Sequence, residues 1–397
     1  MKQLLQHIRS GETEIAEIPC PRSKAKHLLI QTRASLISAG TERMLIEFSR
    51  ASLVSKARQN PDRVRQVLDK IKADGLLPTM EAVFARLEEP IPLGYCNAGV
   101  VLEVGAGVTA FRVGDRVASN GSHAEMVNVP VNLCAKIPDG VGDEQAAFTV
   151  VGSIGLQGIR LIQPTLGESV AVFGLGLIGL VAVQLLRASG CRVLGIDKNA
   201  DRLRLGEQFG AEVVDVSGDA DPVAAAAAVS NGQGVDAVLI TASAKGNAIV
   251  RQAAQMSRKR GRIVLVGVVG LELERADFYE KELSFQVSCS YGPGRYDPAY
   301  EQQGQDYPYG YVRWTQQRNL GAVLDMMATG RLDVGPLITN RIPLTDAGQA
   351  YDTLMKDTSA IGIVLDYPKS EPPRGQTVTL RSGAKRGEDG RVVIGLI

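Results

Sequence analysis

The chain has 397 residues, 45% of them hydrophobic, with 44 Lys plus Arg against 43 Asp plus Glu. That is apolar material for two or three cores, and a net charge of +1 supplies no basic surface for nucleic acid or for an anionic membrane. No apolar run reaches the roughly 18 residues of a membrane span, and the segment from Met1 to Arg9 lacks the apolar stretch and cleavage site of an export signal, so a cytoplasmic location is expected.

In chain order, residues 1–46 read as short strands, with a weak one at 12–18, stopped by Pro19, and a stronger β-like run at 27–34. A loop is expected over 38–43. From Met44 to about residue 86 the pattern turns helical: Val64, Val67, Leu68 and Ile71 recur at helical spacing, Pro61 stands where a first turn would begin, and Pro78 marks a break. β character resumes at 92–105, 111–117 and 124–130. From about Gly140 strands alternate with helices. A strand at 169–173 precedes a glycine turn, a helix at 180–187 and a strand at 191–196. Then follow a helix at 201–209, a strand at 212–214, an Ala-rich helix at 222–229, a strand at 235–240, a helix at 247–256 and a strand at 261–268. Such a series requires a parallel sheet covered on both faces. Residues 291–314, rich in Tyr, Gly, Pro and Gln, read as a long ordered loop before a helix at about 319–327.

The turn reads Gly174-Leu175-Gly176-Leu177-Ile178-Gly179 between strand and helix. The first glycine permits the turn, the second lets backbone approach a pyrophosphate, and the third lets helix and strand pack closely. The next strand ends in Asp197, 18 residues beyond Gly179, where a carboxylate can accept the hydroxyl protons of a ribose. The expected cofactor contacts are Gly174, Gly176, Leu177, Ile178, Gly179, Asp197, Lys198, Arg202, Thr241, Gly267 and Val268. Asp197 argues for NAD by repelling a 2′-phosphate, while Lys198 and Arg202 keep NADP possible. The five cysteines (Cys20, Cys96, Cys134, Cys191, Cys289) are scattered singly and read as reduced thiols, mostly buried. With only His7, His27 and His123 beside them, no metal site is expected.

An N-terminal β lobe containing Leu93-Gly94-Tyr95-Cys96-Asn97-Ala98-Gly99-Val100-Val101 and Val113-Gly114-Asp115-Arg116-Val117, followed by a dinucleotide domain, resembles the medium-chain dehydrogenase/reductase (alcohol dehydrogenase-like) family over about residues 1–367. The resemblance implies an α/β protein: a GroES-like substrate lobe at 1–140 with a helical insertion at about 46–87, a Rossmann doubly wound parallel sheet at 141–290, and a return to the substrate lobe at 291–367. More narrowly, residues 35–43, the insertion and residues 289–296 look like a subgroup often fused to a second oxidoreductase domain of the sugar-dehydrogenase type. In that light 368–390 reads as a linker. Arg391-Val392-Val393-Ile394-Gly395 then reads as the possible start of a truncated second Rossmann domain, with a simple tail as the alternative.

Zinc-dependent members of the family carry ligands where this chain has Ala39, Tyr95 and Val150, and a four-cysteine lobe where residues 117–124 hold no cysteine. The resemblance is therefore to the zinc-free branch, which includes the quinone reductases. Without a metal, the charge that develops on a substrate oxygen must be met by hydrogen-bond donors. Thr41 and Tyr95 occupy positions that face the nicotinamide in the family and are nominated as catalytic, as oxyanion donors or a proton relay. The alternative is that Thr41 caps a turn and Tyr95 merely packs in the β lobe. Arg295, with Tyr291, is a candidate substrate contact for an anionic group. Glu42 and Arg43 are expected to form an ion pair at the cleft rim, and His123 to be a solvated loop residue. The expected protein is an NAD(P)-dependent, zinc-independent oxidoreductase acting on a small molecule, homo-oligomeric, with a catalytically silent nucleotide-binding module as the alternative.

Overall fold

The computed structural model describes residues 1–50, 89–357, 359–370, 375 and 377. The expected insertion beyond Arg50, most of the linker and the strand-like segment at 391–397 lie outside the described residues.

Strands β1 (Lys2–Gln6), β2 (Thr13–Glu17), β3 (His27–Ser38), β4 (Ile91–Pro92), β5 (Asn97–Val104), β6 (Arg116–Ser119), β7 (Met126–Pro130) and β8 (Cys134–Lys136) form the first lobe. The six-stranded sheet beyond it is made of β9 (Ser169–Phe173), β10 (Arg192–Asp197), β11 (Glu212–Asp215), β12 (Val235–Ile240), β13 (Ser257–Leu265) and β14 (Ser284–Val287). Near the other end of the chain, β15 (Ile338–Pro343) and β16 (Gly362–Asp366) return to the first lobe, whose main sheet runs β15-β16-β3-β5-β6-β8 with β7 on β3.

β3 continues four residues past the local pattern because β16 pairs antiparallel with it, from Gly362 on Ser38 to Asp366 on Ala34. Its partner lies more than 300 residues away, so no local period announces it. The expected loop at 38–43 is absent: the helix Ala39–Arg50 begins directly after Ser38, and the Glu42 side chain reaches back to accept the Ser38 N–H at 2.9 Å. That bond satisfies an amide at a helix start, where intrahelical acceptors are lacking.

The six-stranded sheet is wholly parallel, in the order β11-β10-β9-β12-β13-β14. Every residue of β9 is buried, as a central parallel strand requires. β13 starts at Ser257 rather than 261, because Ser257 pairs with Val235 although the Arg258-Lys259-Arg260 stretch carries no apolar period. It stops at Leu265, which leaves Gly267 and Val268 beyond the strand, with Val268 in an isolated parallel bridge to Ser243. The Ala-rich helix spans Pro222–Val229, capped by Asp221. The segment at 291–314 contains a short helix, Pro298–Glu301, and the helix after it begins early, at Gln316.

One core unites the lobes. The helix Thr149–Ile162 packs on the helix Leu177–Ala188 and on the helix Gln316–Ala328. Its Val150 and Val151 belong to a buried cluster that includes Leu36, Cys96 and Val364 from one lobe and Val170 and Leu180 from the other. Fully burying side chains of this size stabilises by roughly 1.5–3 kcal/mol each, which fixes the lobes against each other.

Candidate active site

The strand order reverses between β9 and β12, and in such sheets the crevice beyond the strands' carboxyl ends at this point takes the ligand. Each glycine of the turn answers a different demand. Gly174 has φ +89°, and a Cβ on it would lie 2.7 Å from the Ala242 Cα. A Cβ on Gly179 would stand 1.9 Å from the Gly174 carbonyl oxygen. Around Gly176 the same test meets nothing within 4 Å, so its free side is open. Thr241 braces the turn by donating through Oγ1 to the carbonyls of Gly174 (2.6 Å) and Phe173 (3.0 Å). Gly176 provides no side-chain cap to the helix Leu177–Ala188, so the first amides, at Leu177, Ile178 and Gly179, are available to an anion.

Asp197 is more committed than its position suggests. It is 8% exposed and accepts N–H bonds from Leu175 (2.6 Å), Lys198 (2.8 Å) and Asn199 (2.9 Å). A carboxylate has about four acceptor positions, so room for roughly one ribose hydroxyl is left. Lys198 is exposed beside it, and Asn199 caps the helix Ala200–Gln208 through the amides of Asp201 and Arg202. Gly267 approaches the backbone so closely that a Cβ would be 2.0 Å from the Ala242 oxygen, while Val268 donates its N–H to that oxygen and leaves its side chain 59% exposed. A dinucleotide fits this set: an open turn at an uncapped helix start, a carboxylate one strand away and an exposed apolar side chain at the sheet's end.

The helix Thr149–Ile162 links this crevice to the second half of the site. The Cys96 thiol lies at the Val151 amide, and a Cβ on Gly155 would touch the Ile178 carbonyl at 3.5 Å. Four helical residues rise about 6 Å, so the turn carrying Tyr95 and the glycine turn are neighbours along one helix face. There Thr41, in the first turn of its helix, stands with Oγ1 3.2 Å from the Tyr95 hydroxyl, which donates to Ser38 Oγ at 2.7 Å. The structure thus brings Thr41 and Tyr95 together and adds Ser38, which the sequence pattern did not single out. Burial, reinforced by the nearby Cys96 and Glu42, raises the Tyr95 phenol well above its ordinary pKa, so it is a neutral donor. Burial likewise pushes the Cys96 thiol up, which leaves it inert as a nucleophile.

Tyr291 is buried and donates to Asn120 Oδ1 at 3.1 Å, and Asn120 donates in turn to the Tyr95 carbonyl at 2.9 Å. Tyr291 therefore belongs to the support of the Tyr95 turn. Arg295 is already engaged: it pairs with Glu301 at 2.7 Å and lies over the Tyr296 ring at 4.0 Å. Two other expectations are corrected. Glu42 and Arg43 do not pair with each other: Glu42 is buried against His123, while Arg43 turns away to the Leu354 carbonyl. His123 is 0% exposed, its ring beneath Gly94, because Ser35 and Glu42 supply partners for both ring nitrogens. The methyl of Ala39, the phenol of Tyr95 and the buried Val150 are not the N/S donors that zinc takes, so the zinc-ligand positions of the resemblance do not fit that metal.

Two family models match the chain: an alcohol dehydrogenase GroES-like domain over residues 65–139 and a zinc-binding dehydrogenase domain over residues 178–302. Among characterised relatives, the (R,R)-butanediol dehydrogenase of Bacillus subtilis (strain 168) is 27% identical over 307 residues, covering 70% of this chain and 81% of that protein. The alcohol dehydrogenase of Geobacillus stearothermophilus is 31% identical over 240 residues, covering 51% and 70%. Among solved structures, a short chain alcohol dehydrogenase from E. coli CFT073, complexed with NADH, superposes with a TM-score of 0.69 at 20% identity, covering 92% of this chain and 99% of that one.

Proposed function

Because the chain belongs to the medium-chain dehydrogenase/reductase family and is an NAD(P)-dependent dehydrogenase, we propose that it interconverts an alcohol and a carbonyl, or reduces an activated alkene, on a small polyol- or sugar-like substrate without zinc. The observation that carries this reading is the hydroxyl cluster of Ser38, Thr41 and Tyr95, set where the zinc-ligand positions read Ala39, Tyr95 and Val150. The relatives' names, which include diol, arabitol-phosphate and xylulose enzymes, support the substrate class.

When bound, the nicotinamide supplies the hydride acceptor or donor. The chain's own work is to orient and to hold protons. The turn from Gly174 to Gly179 and the amides of Leu177 to Gly179 would hold the pyrophosphate, and Asp197 with Lys198 and Arg202 would receive the adenosine ribose. Thr241, Gly267 and Val268, at the carboxyl ends of the central strands, would flank the rest of the cofactor. Tyr95 keeps its proton on the phenol oxygen and presents it to the substrate oxygen as negative charge grows there, with Thr41 as the second donor. One such donor is worth roughly 10²–10³ in kcat. Tyr291 acts through Asn120 on the Tyr95 turn, and Arg295 faces the substrate only if an anionic group competes with Glu301. In this reading NAD is preferred over NADP.

The test is steady-state oxidation and reduction with a panel of 2,3-diols, polyols, keto-sugars and enones, with each cofactor titrated by fluorescence. Turnover of at least one panel member with tighter NADH than NADPH binding is expected. Cofactor binding with no turnover across the panel would contradict the reading.

A further inference from the structure

Glu42 and His123 are both buried, 3.2 Å apart, and belong to no part of the hydride chemistry described above. Around them runs a chain of polar side chains. His123 Nδ1 is 2.7 Å from Ser35 Oγ, which is 2.8 Å from the Tyr367 hydroxyl, and the Tyr351 hydroxyl donates to Glu42 Oε2. Tyr351 and Tyr367, the two ends, are themselves buried, so the chain runs within the protein interior. Its link to the hydroxyl cluster is the Ser38 backbone N–H on Glu42 Oε1, an amide that does not exchange a proton on the timescale of turnover. These contacts thus join the pair to the cluster through backbone and not through a side-chain proton path.

What the pair does touch is the backbone on either side of the cluster. Glu42 adjoins Thr41 in sequence and fixes the amide of Ser38, whose side chain accepts from Tyr95. The His123 ring fills the space against Gly94, the residue before Tyr95, so closely that a Cβ there would be 2.5 Å from the ring. Gly94 has φ +85°, and the His123 N–H donates to the Leu93 carbonyl at 2.8 Å, so the turn is clamped to His123 through both backbone and ring.

We infer that Glu42 and His123 are positioning residues, a buried polar clasp that sets the Thr41 and Tyr95 hydroxyls in register with each other. The inference rests on the proposed role of Tyr95. Burying two ionisable groups is costly unless each is fully partnered, and here Ser35, Ser38 and Leu93 lie on segments that carry or adjoin a donor, while Tyr351 completes Glu42 from the helix Ala347–Lys356. Displacing a catalytic donor by about 1 Å costs up to about 10²-fold in rate.

The test combines a double-mutant cycle with a structure. Glu42→Gln and His123→Phe are each expected to lower kcat about tenfold or more on an active member of the substrate panel, with the NADH dissociation constant unchanged within about twofold. His123→Gln, which returns a donor near Nε2, restores part of the loss. In a Tyr95→Phe background, Glu42→Gln adds less than about twofold, because the donor it places is gone. A merely structural residue costs the same in both backgrounds, and that additive result would overturn the inference while leaving the role of Tyr95 intact. Wild-type turnover by Tyr95→Phe itself would instead sink the reading on which the inference stands. A crystal structure of His123→Phe, or of His123→Gln if the former does not fold, reads the placement without turnover. Separation of the Tyr95 and Thr41 hydroxyls beyond hydrogen-bond distance supports the clasp, and an unmoved pair contradicts it.

Discussion

On the dinucleotide side of the cleft, Gly174 and Gly179 are held by main chain: a Cβ at either would strike the backbone of Ala242 or Gly174, and Thr241 pins the turn through two carbonyls. On the hydroxyl side, Ser38, Thr41 and Tyr95 are held by side chains, and those side chains by others in turn: Glu42, His123, Asn120 and Tyr291. A crevice made of backbone depends on a few residues and fails sharply when one of them gains an atom. A cluster made of side chains depends on many and should lose rate in graded steps while cofactor binding persists.

The largest expected effect tests the first half. Gly179→Val should abolish NADH binding, with a loss of at least about 100-fold by fluorescence titration and lower thermal stability, since overpacking of this kind costs about 1–3 kcal/mol or more. Gly176→Ala, which meets nothing in the protein, should fold as the wild type does and lose only cofactor affinity, by about tenfold. Equal damage at both positions would break the argument that the free side of Gly176 is reserved for phosphate.

Next comes the second half. Tyr95→Phe should lower kcat by about 10²-fold and leave the NADH constant unchanged, because the lost group meets charge on the substrate and not the cofactor. A rise in KM alone would make Tyr95 a binding residue.

A third expectation concerns pH. Burial raises the phenols of Tyr95 and Tyr367 above their ordinary value, and pushes Tyr291 up to about 12. Groups whose folded pKa is raised contribute stability that is complete below the unfolded value of about 10 and is lost as pH climbs through the folded values. Stability measured by urea unfolding should therefore fall above about pH 10, and less steeply in Tyr95→Phe. An unchanged slope in that variant would mean that the Tyr95 phenol is not held above its ordinary value.

The smallest effect is expected at Arg295. Its guanidinium is 29% exposed and paired with Glu301, so Arg295→Ala should change stability by about 1 kcal/mol or less and leave KM for neutral polyols unaltered. A selective rise in KM for a phosphorylated polyol would restore Arg295 as an anion contact.

The same contrast explains what could be read from the sequence. The glycine spacing, the buried run of β9 and the carboxylate ending β10 are local signals, and they point to the same end of the sheet where the strand order reverses. Thr41 and Tyr95 came from resemblance and not from pattern. The residues that hold them were misread because their partners are remote: Tyr351 meets Glu42 across 309 positions and His123 meets it across 81. A histidine in a Gly-Ser-His loop looks solvated until a strand from one side and a helix from the other close over it. Asp197 ends its strand as the pattern indicates, and it accepts from the amides of its own neighbours Lys198 and Asn199, but the third amide, from Leu175, follows from the packing of two loops, which local spacing does not specify.

The account turns on hydride transfer by a chain whose zinc-ligand positions offer no N/S donors, and the most direct measurement is single-turnover cofactor oxidation before and after dialysis against a chelator, with zinc quantified per chain. An unchanged rate at well under one zinc per chain is expected, with Tyr95→Phe losing rate whether or not the sample has been dialysed. Activity that disappears with about one zinc per chain and returns when zinc is restored would contradict it.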